Sequence, residues 1–223
     1  MKPATYLVPF IFLTVFLLIR AELLGKRRQR YIFKPTSTLL VIVVALLSLW
    51  TADRHMLYTV GVVVGLVLSL GGDVALMFDE DRTAFAAGLG LFLLAHVAYT
   101  VVFTMLGRFS ILDVVSLPLL AGAGVAFYGL IRGNLASLRW PVIAYMIVIS
   151  VMVSRAISTL ASPVFSTGQA AMVALGAFLF YLSDVVLAAN RFWKPLKYGR
   201  INLAFYYLGQ LLLALAASYF QTT

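Results

Sequence analysis

The chain has 223 residues, 63% of them hydrophobic and only 11% charged, with a mean hydropathy of +1.02. Soluble domains run at roughly 45–50% apolar, so a water-soluble globule is excluded and the chain reads as a polytopic membrane protein. Its formal charge of +9 does not point to nucleic acid, because the basic residues sit in short loops between apolar runs, where they act as topology signals and lipid contacts. With no cysteine, disulfides, thiolate metal sites and cysteine nucleophiles are excluded.

A spanning helix needs about 20 mostly apolar residues. On that ruler eight segments are predicted, at residues 5–19, 37–52, 57–78, 83–106, 112–131, 140–160, 169–189 and 201–220. The first could be taken for a cleaved signal peptide, but no small-residue cleavage pattern precedes the charged stretch at 22–30, so it is read as a retained helix. The expected fold is an all-α polytopic membrane bundle of eight transmembrane helices, forming a single integral membrane domain over residues 1–223. Loops 1, 3, 5 and 7 carry 13 of the 17 Lys and Arg residues. By the positive-inside rule these loops face the cytoplasm, and both termini lie outside, in a bacterial inner membrane.

The third and seventh segments each contain an aspartate in an otherwise apolar run: Asp73 in LGGDVALM (70–77) and Asp184 in LSDVVLA (182–188). A carboxylate there must stay protonated, find a partner or line a wet cavity. Shifting the chain by 111 residues lays 73–76 on 184–187, His96 on Tyr207 and Tyr99 on Gln210. That shift spans four helices and suggests two parallel four-helix repeats. The chemical reading is a pair of carboxyls at one depth facing a common cavity, one protonated as an acid and one ionised to steady a cation. The structural reading is that each hydrogen-bonds a neighbouring helix or pairs with Lys34 or Arg191.

His96 and Tyr99 are three residues apart, as are Tyr207 and Gln210, so each pair shares a helix face that could hold substrate oxygens. Lys34 and Pro35 are expected to open helix 2 at the cytoplasmic boundary, where the amine could meet a phosphate or an aspartate. Arg155 is long enough to snorkel outward and is read as structural or of unknown role. The other histidine, His55, falls in an outside loop, so no metal site and no cofactor are predicted. Phosphate-binding glycine loops and a GxSxG elbow are both missing, which excludes NTPase, kinase and serine-hydrolase chemistry.

Lys34-Pro35, GDVALM (72–77), GLGLFLLAHVAY (88–99), LSDVVLA (182–188) and FYYLGQLLLA (205–214), taken together and in order, resemble the YhhN-like lysoplasmalogenase family of integral membrane hydrolases. The resemblance implies metal-independent hydrolysis of the vinyl ether of lysoplasmalogens, releasing a fatty aldehyde and glycerophosphoethanolamine or glycerophosphocholine. It implies catalytic roles for Asp73 and Asp184, and substrate contacts from Lys34, His96, Tyr99, Tyr206, Tyr207 and Gln210. The implied partners are a lysophospholipid substrate and membrane lipids, with no nucleic acid. The residues alone leave two competing readings: a small proton-coupled transporter, or a non-catalytic lipid-binding protein.

Overall fold

The computed structural model describes residues 2–51, 54–78, 81–196 and 199–220. These form eight long helices: α1 (Val8–Leu23), α2 (Arg27–Leu47), α3 (Met56–Ala75), α4 (Arg82–Leu106), α5 (Ile111–Ile131), α6 (Arg139–Ser158), α7 (Thr167–Phe192) and α8 (Ile201–Ala216). Counting short 3₁₀ turns at their ends, all eight are long and apolar enough to cross a bilayer. The chain is a multi-pass, all-α membrane protein, with no strand among the described residues. Residue 52, the predicted end of the second segment, lies outside them.

Six of the eight predicted segments coincide with helices to within a few residues, and the first two need correction. α1 continues to Leu23, and α2 begins at Arg27 rather than near residue 37. The opening Arg-Arg-Gln-Arg of α2 hides its first turns from a hydropathy ruler. As a result Lys34 and Pro35 lie about two turns inside α2 instead of at its start. Pro35 supplies no amide hydrogen to the preceding turn. Around it the hydroxyls of Thr36 and Ser37 donate back to the carbonyls of Ile32 and Phe33, at 2.7 and 2.8 Å. Such back-bonding is how a hydroxyl satisfies a helix carbonyl without water.

Close packing sets the positions of the polar helices. α7 and α8 meet backbone to backbone: a Cβ added to Gly176 would lie 2.9 Å from the Gly209 carbonyl oxygen, and one on Gly209 would lie 2.7 Å from that of Gly176. Small residues allow this approach where lipid gives helices no hydrophobic reason to associate. Between α3 and α4 glycine instead makes room for rings. A Cβ on Gly65 would come within 2.3 Å of the Tyr99 ring, and one on Gly72 within 2.6 Å of Phe92.

Helix α5 lies at the periphery, with only Asp113, Ser116 and Ile131 buried. It is tied to α6 by polar contacts. Arg155 Nη1 lies 2.5 Å from Asp113 Oδ1, and the hydroxyls of Ser116 and Ser154 are 2.8 Å apart. Asp113 also accepts the Ser110 amide in the capping box that starts α5. Arg155 therefore does not need to snorkel outward: a carboxylate one helix away neutralises it in place.

Candidate functional site

Asp73 ends the polar face of α3 and is 2% exposed. Lys34 Nζ on α2 lies 3.4 Å from its Oδ1. The other oxygen, Oδ2, accepts hydrogen bonds from Thr38 Oγ1 on α2 and from the Tyr206 hydroxyl on α8, both at 2.6 Å. Lys34 and Thr38 are four residues apart and so share one face of α2. Next to them the Tyr207 hydroxyl donates to the Lys34 carbonyl at 2.9 Å. A buried charge persists in an apolar interior only when it is paired and hydrogen-bonded, and this one is. Both carboxylate oxygens are already taken.

Asp184, about two turns before the C-terminal end of α7, has a second cluster. The Tyr145 hydroxyl on α6 donates to Asp184 Oδ2 at 2.6 Å. His96 Nε2 on α4 lies 2.8 Å from the Tyr145 oxygen and 3.1 Å from the same Oδ2. These distances fit a relay in which His96 Nε2–H donates to Tyr145 and Tyr145 donates to the carboxylate. The imidazole is wholly buried, and its Nδ1 has no partner among the described residues. Both contacts fall on Oδ2, and no hydrogen bond among the described residues engages Oδ1.

Asp184 and Tyr145 also line the wall of a narrow slot between α4, α5, α6 and α7, with a cavity volume of about 80 Å³. Leu76, Phe85, Phe92, Phe127, Val142 and Ile149 make most of its surface apolar. Its few polar side chains include Asp184, Tyr145, Ser150 and Arg191. The Ser150 hydroxyl is spent on the Met146 carbonyl at 2.7 Å. An apolar cleft with a few convergent polar groups is the usual form of a small-molecule site.

The two aspartates do not share this slot, contrary to the sequence expectation of a common cavity. Phe180 stands between their partners, with its ring centroid 5.2 Å from that of Tyr206 and 4.7 Å from that of His96. Phe92 closes the same partition, 5.9 Å from Tyr206 and 6.3 Å from Phe180. The physical reason is the position of Lys34. Placed two turns inside α2, it meets Asp73 rather than the lipid headgroups, and seals that carboxylate behind the aromatic wall.

Of the residues picked out from sequence, Lys34, Asp73, Tyr206 and Tyr207 assemble in the first cluster, and His96 and Asp184 in the second. Tyr99 and Gln210 are buried outside both: the Tyr99 hydroxyl and both polar atoms of the Gln210 amide lack partners among the described residues. Sequence reading missed Thr38, Tyr145 and the slot position of Arg191. Thr38 could have been found four residues after Lys34. Tyr145 could have been found as the residue that the 111-residue shift lays on Lys34. Among the described residues no three His, Cys, Asp or Glu side chains gather as a metal site would require.

Comparisons with known proteins give the chain its relatives. The model of the YhhN family matches residues 29–217. The chain is 28% identical over 205 residues to the uncharacterized membrane protein YhhN of Escherichia coli O6:H1, covering 90% of this chain and 93% of that one. It is 33% identical over 159 residues to bovine lysoplasmalogenase TMEM86A, covering 69% of this chain and 63% of that one. Human lysoplasmalogenase TMEM86B is 31% identical over 171 residues, covering 76% and 68%. No solved structure matches.

Proposed function

The chain belongs to the YhhN family, and on that premise we propose that it is a hydrolase acting on the vinyl ether of single-chain lysophospholipids, with Asp184 as the group that moves the proton. Mammalian relatives bear the name lysoplasmalogenase. The observation that carries the reading is a carboxyl on the wall of an apolar slot, backed by a tyrosine that donates to one of its oxygens and a histidine that backs the tyrosine.

A vinyl ether is opened by acid. In its acid form Asp184 gives its proton to the alkene carbon remote from oxygen; the π pair forms the new C–H bond and an ether oxygen lone pair forms a C=O⁺ bond. The carboxylate left behind faces the oxocarbenium ion while the Tyr145 hydroxyl supports its Oδ2. Water then adds to the carbon that bears oxygen and passes a proton to Asp184, giving a hemiacetal and restoring the acid. Transfer of the hemiacetal hydroxyl proton to the glycerol oxygen breaks the C–O bond, yielding a fatty aldehyde and the glycerophospho-alcohol. One water is consumed and no proton is left over. Positioned proton transfer of this kind contributes typically about 10²–10⁴ in rate, and a dry wall strengthens the charge contacts within it.

Asp73 is assigned a positioning role, because Lys34, Thr38 and Tyr206 occupy both its oxygens. Through Tyr206 it fixes α8, and through the ring of Tyr206 it steadies Phe180 against His96. On this reading the slot opens toward the cytoplasmic face, which the basic loops support by the positive-inside rule. The test is release of fatty aldehyde by the purified protein in detergent from 1-alkenyl-glycerophosphoethanolamine, with the saturated 1-alkyl ether as the control that yields none. A transporter would need a sealed vesicle and would release no aldehyde.

A further inference from the structure

We propose that Arg191 is the phosphate anchor of the slot and sets its preference for a phosphorylated glycerol ether over a neutral one; this rests on the lysophospholipid reading above and adds the residue that recognises the headgroup. Arg191 lies in the last turn of α7 and lines the same slot as Asp184. Seven residues separate them, so they share a face of the helix about 10 Å apart along its axis.

The guanidinium is both held and uncommitted. It sits over the Phe85 ring, 4.7 Å from the centroid, in a cation–π contact with another slot residue. Among the described residues no carboxylate pairs with it. The helix end does not need it either. The Ala189 carbonyl accepts the amides of Trp193 and Lys194, and the Phe192 carbonyl accepts Asn134 Nδ2 at 2.8 Å. Lys34, the cation the sequence put forward for the headgroup, is consumed by Asp73.

The spacing matches the substrate. From the alkene carbon that takes the proton, seven bonds lead through the ether oxygen, the three glycerol carbons and the ester oxygen to phosphorus. At about 1.2 Å per bond in an extended chain, that is roughly 8 Å. A lysophospholipid with its alkene at Asp184 thus brings its phosphate to Arg191, whose planar fork suits two phosphate oxygens. The hydrocarbon chain then runs the other way, toward Ile149.

The experiment is equilibrium binding of non-hydrolysable saturated ethers to the purified protein in detergent, so that it reads out whether or not the protein turns over a vinyl ether. The probes are 1-alkyl-glycerophosphoethanolamine, 1-alkylglycerol of the same chain length, and a two-chain phosphatidylethanolamine. The wild type is expected to bind the phosphorylated single-chain ether at least about tenfold more tightly than the neutral one. Arg191→Ala is expected to abolish that difference by weakening only the phosphorylated ligand, and Arg191→Lys to restore part of it. Equal weakening of both single-chain ligands, or no weakening, overturns the proposal. So does an equal loss for the two-chain lipid, which would place Arg191 on bulk membrane instead of in the site. Aldehyde release, measured alongside on the vinyl ethers, tests the hydrolytic reading separately. Arg191→Ala should raise KM for the phosphorylated vinyl ether alone and leave kcat at saturation within a few-fold.

Discussion

Lys34 and Tyr145 hold corresponding places on the two aspartates. Each precedes the aspartate it touches by 39 residues, Lys34 with its ammonium 3.4 Å from Asp73 Oδ1 and Tyr145 with its hydroxyl 2.6 Å from Asp184 Oδ2. The shift that carries Asp73 onto Asp184 carries one onto the other. Each aspartate also has a partner on a further helix: Tyr206 reaches Asp73 from α8, and His96 lies beside Asp184 from α4. A cation in one position and a neutral hydroxyl in the other produce opposite outcomes. One carboxylate is neutralised and closed, and the other keeps an oxygen for the slot.

The closed cluster should behave as a buried ion pair. Lys34→Met leaves the Asp73 carboxylate without its counter-charge and is expected to destabilise the protein by about 3–5 kcal/mol. Asp73→Asn in the same chain removes the stranded charge and should recover at least half of that loss. Thermal unfolding of the two single variants and the double variant in detergent checks the coupling. Strictly additive losses would mean that the pair is not an energetic unit.

The open cluster should show itself in turnover rather than in stability. Tyr145→Phe removes one hydrogen bond to a carboxylate, an interaction of about 1.5–3 kcal/mol, and kcat for aldehyde release is expected to fall about 10- to 100-fold with KM little changed. Tyr207→Phe makes the same chemical change on the far side of the aromatic partition, where, among the described residues, the hydroxyl meets only the Lys34 carbonyl and Thr38. Its kcat should stay within about threefold of wild type, since no contact to the reacting groups is lost.

The slot should measure chain length. Ser150 lines it one turn beyond the level of Tyr145, on the side away from Arg191. Ser150→Phe would fill that end. KM for a long-chain vinyl ether is expected to rise roughly tenfold, the scale of a lost hydrophobic subsite, while a substrate short enough to stop at Tyr145 keeps its KM. A uniform change across chain lengths would place the hydrocarbon elsewhere.

The contact between α7 and α8 gives a prediction independent of chemistry. Gly209→Ala puts a methyl group 2.7 Å from the Gly176 carbonyl oxygen, and overpacking of that kind costs about 1–3 kcal/mol. Gly90→Ala has no neighbour within 4 Å and should be neutral or slightly stabilising. Melting temperatures of the two variants should move apart accordingly.

The fold was legible because hydropathy reports a membrane span directly, and it failed only where charge overlays a helix. The four polar residues that open α2 conceal its first turn, and with it the depth of Lys34. Both aspartates stand out in sequence because a carboxylate in an apolar run is costly. Their separation does not, because it depends on Phe180 and Phe92, apolar residues in apolar helices that no local pattern distinguishes. Tyr145 was hard to see for a similar reason: one tyrosine in a membrane helix is unremarkable until its register against Lys34 is considered. Arg191 reads as a topology residue, and only its seat over Phe85 in the lining of the slot separates it from the other basic residues of the loops.

The central claim is that Asp184, and not Asp73, exchanges the proton with the substrate. Aldehyde release from 1-alkenyl-glycerophosphoethanolamine, measured per folded molecule for Asp184→Asn and Asp73→Asn, tests it most directly. Loss of at least about 10² in turnover is expected for Asp184→Asn with folding intact, and less than about tenfold for Asp73→Asn once its lower stability is corrected for. Retained turnover in Asp184→Asn, or an equal loss in the folded Asp73→Asn protein, would contradict it.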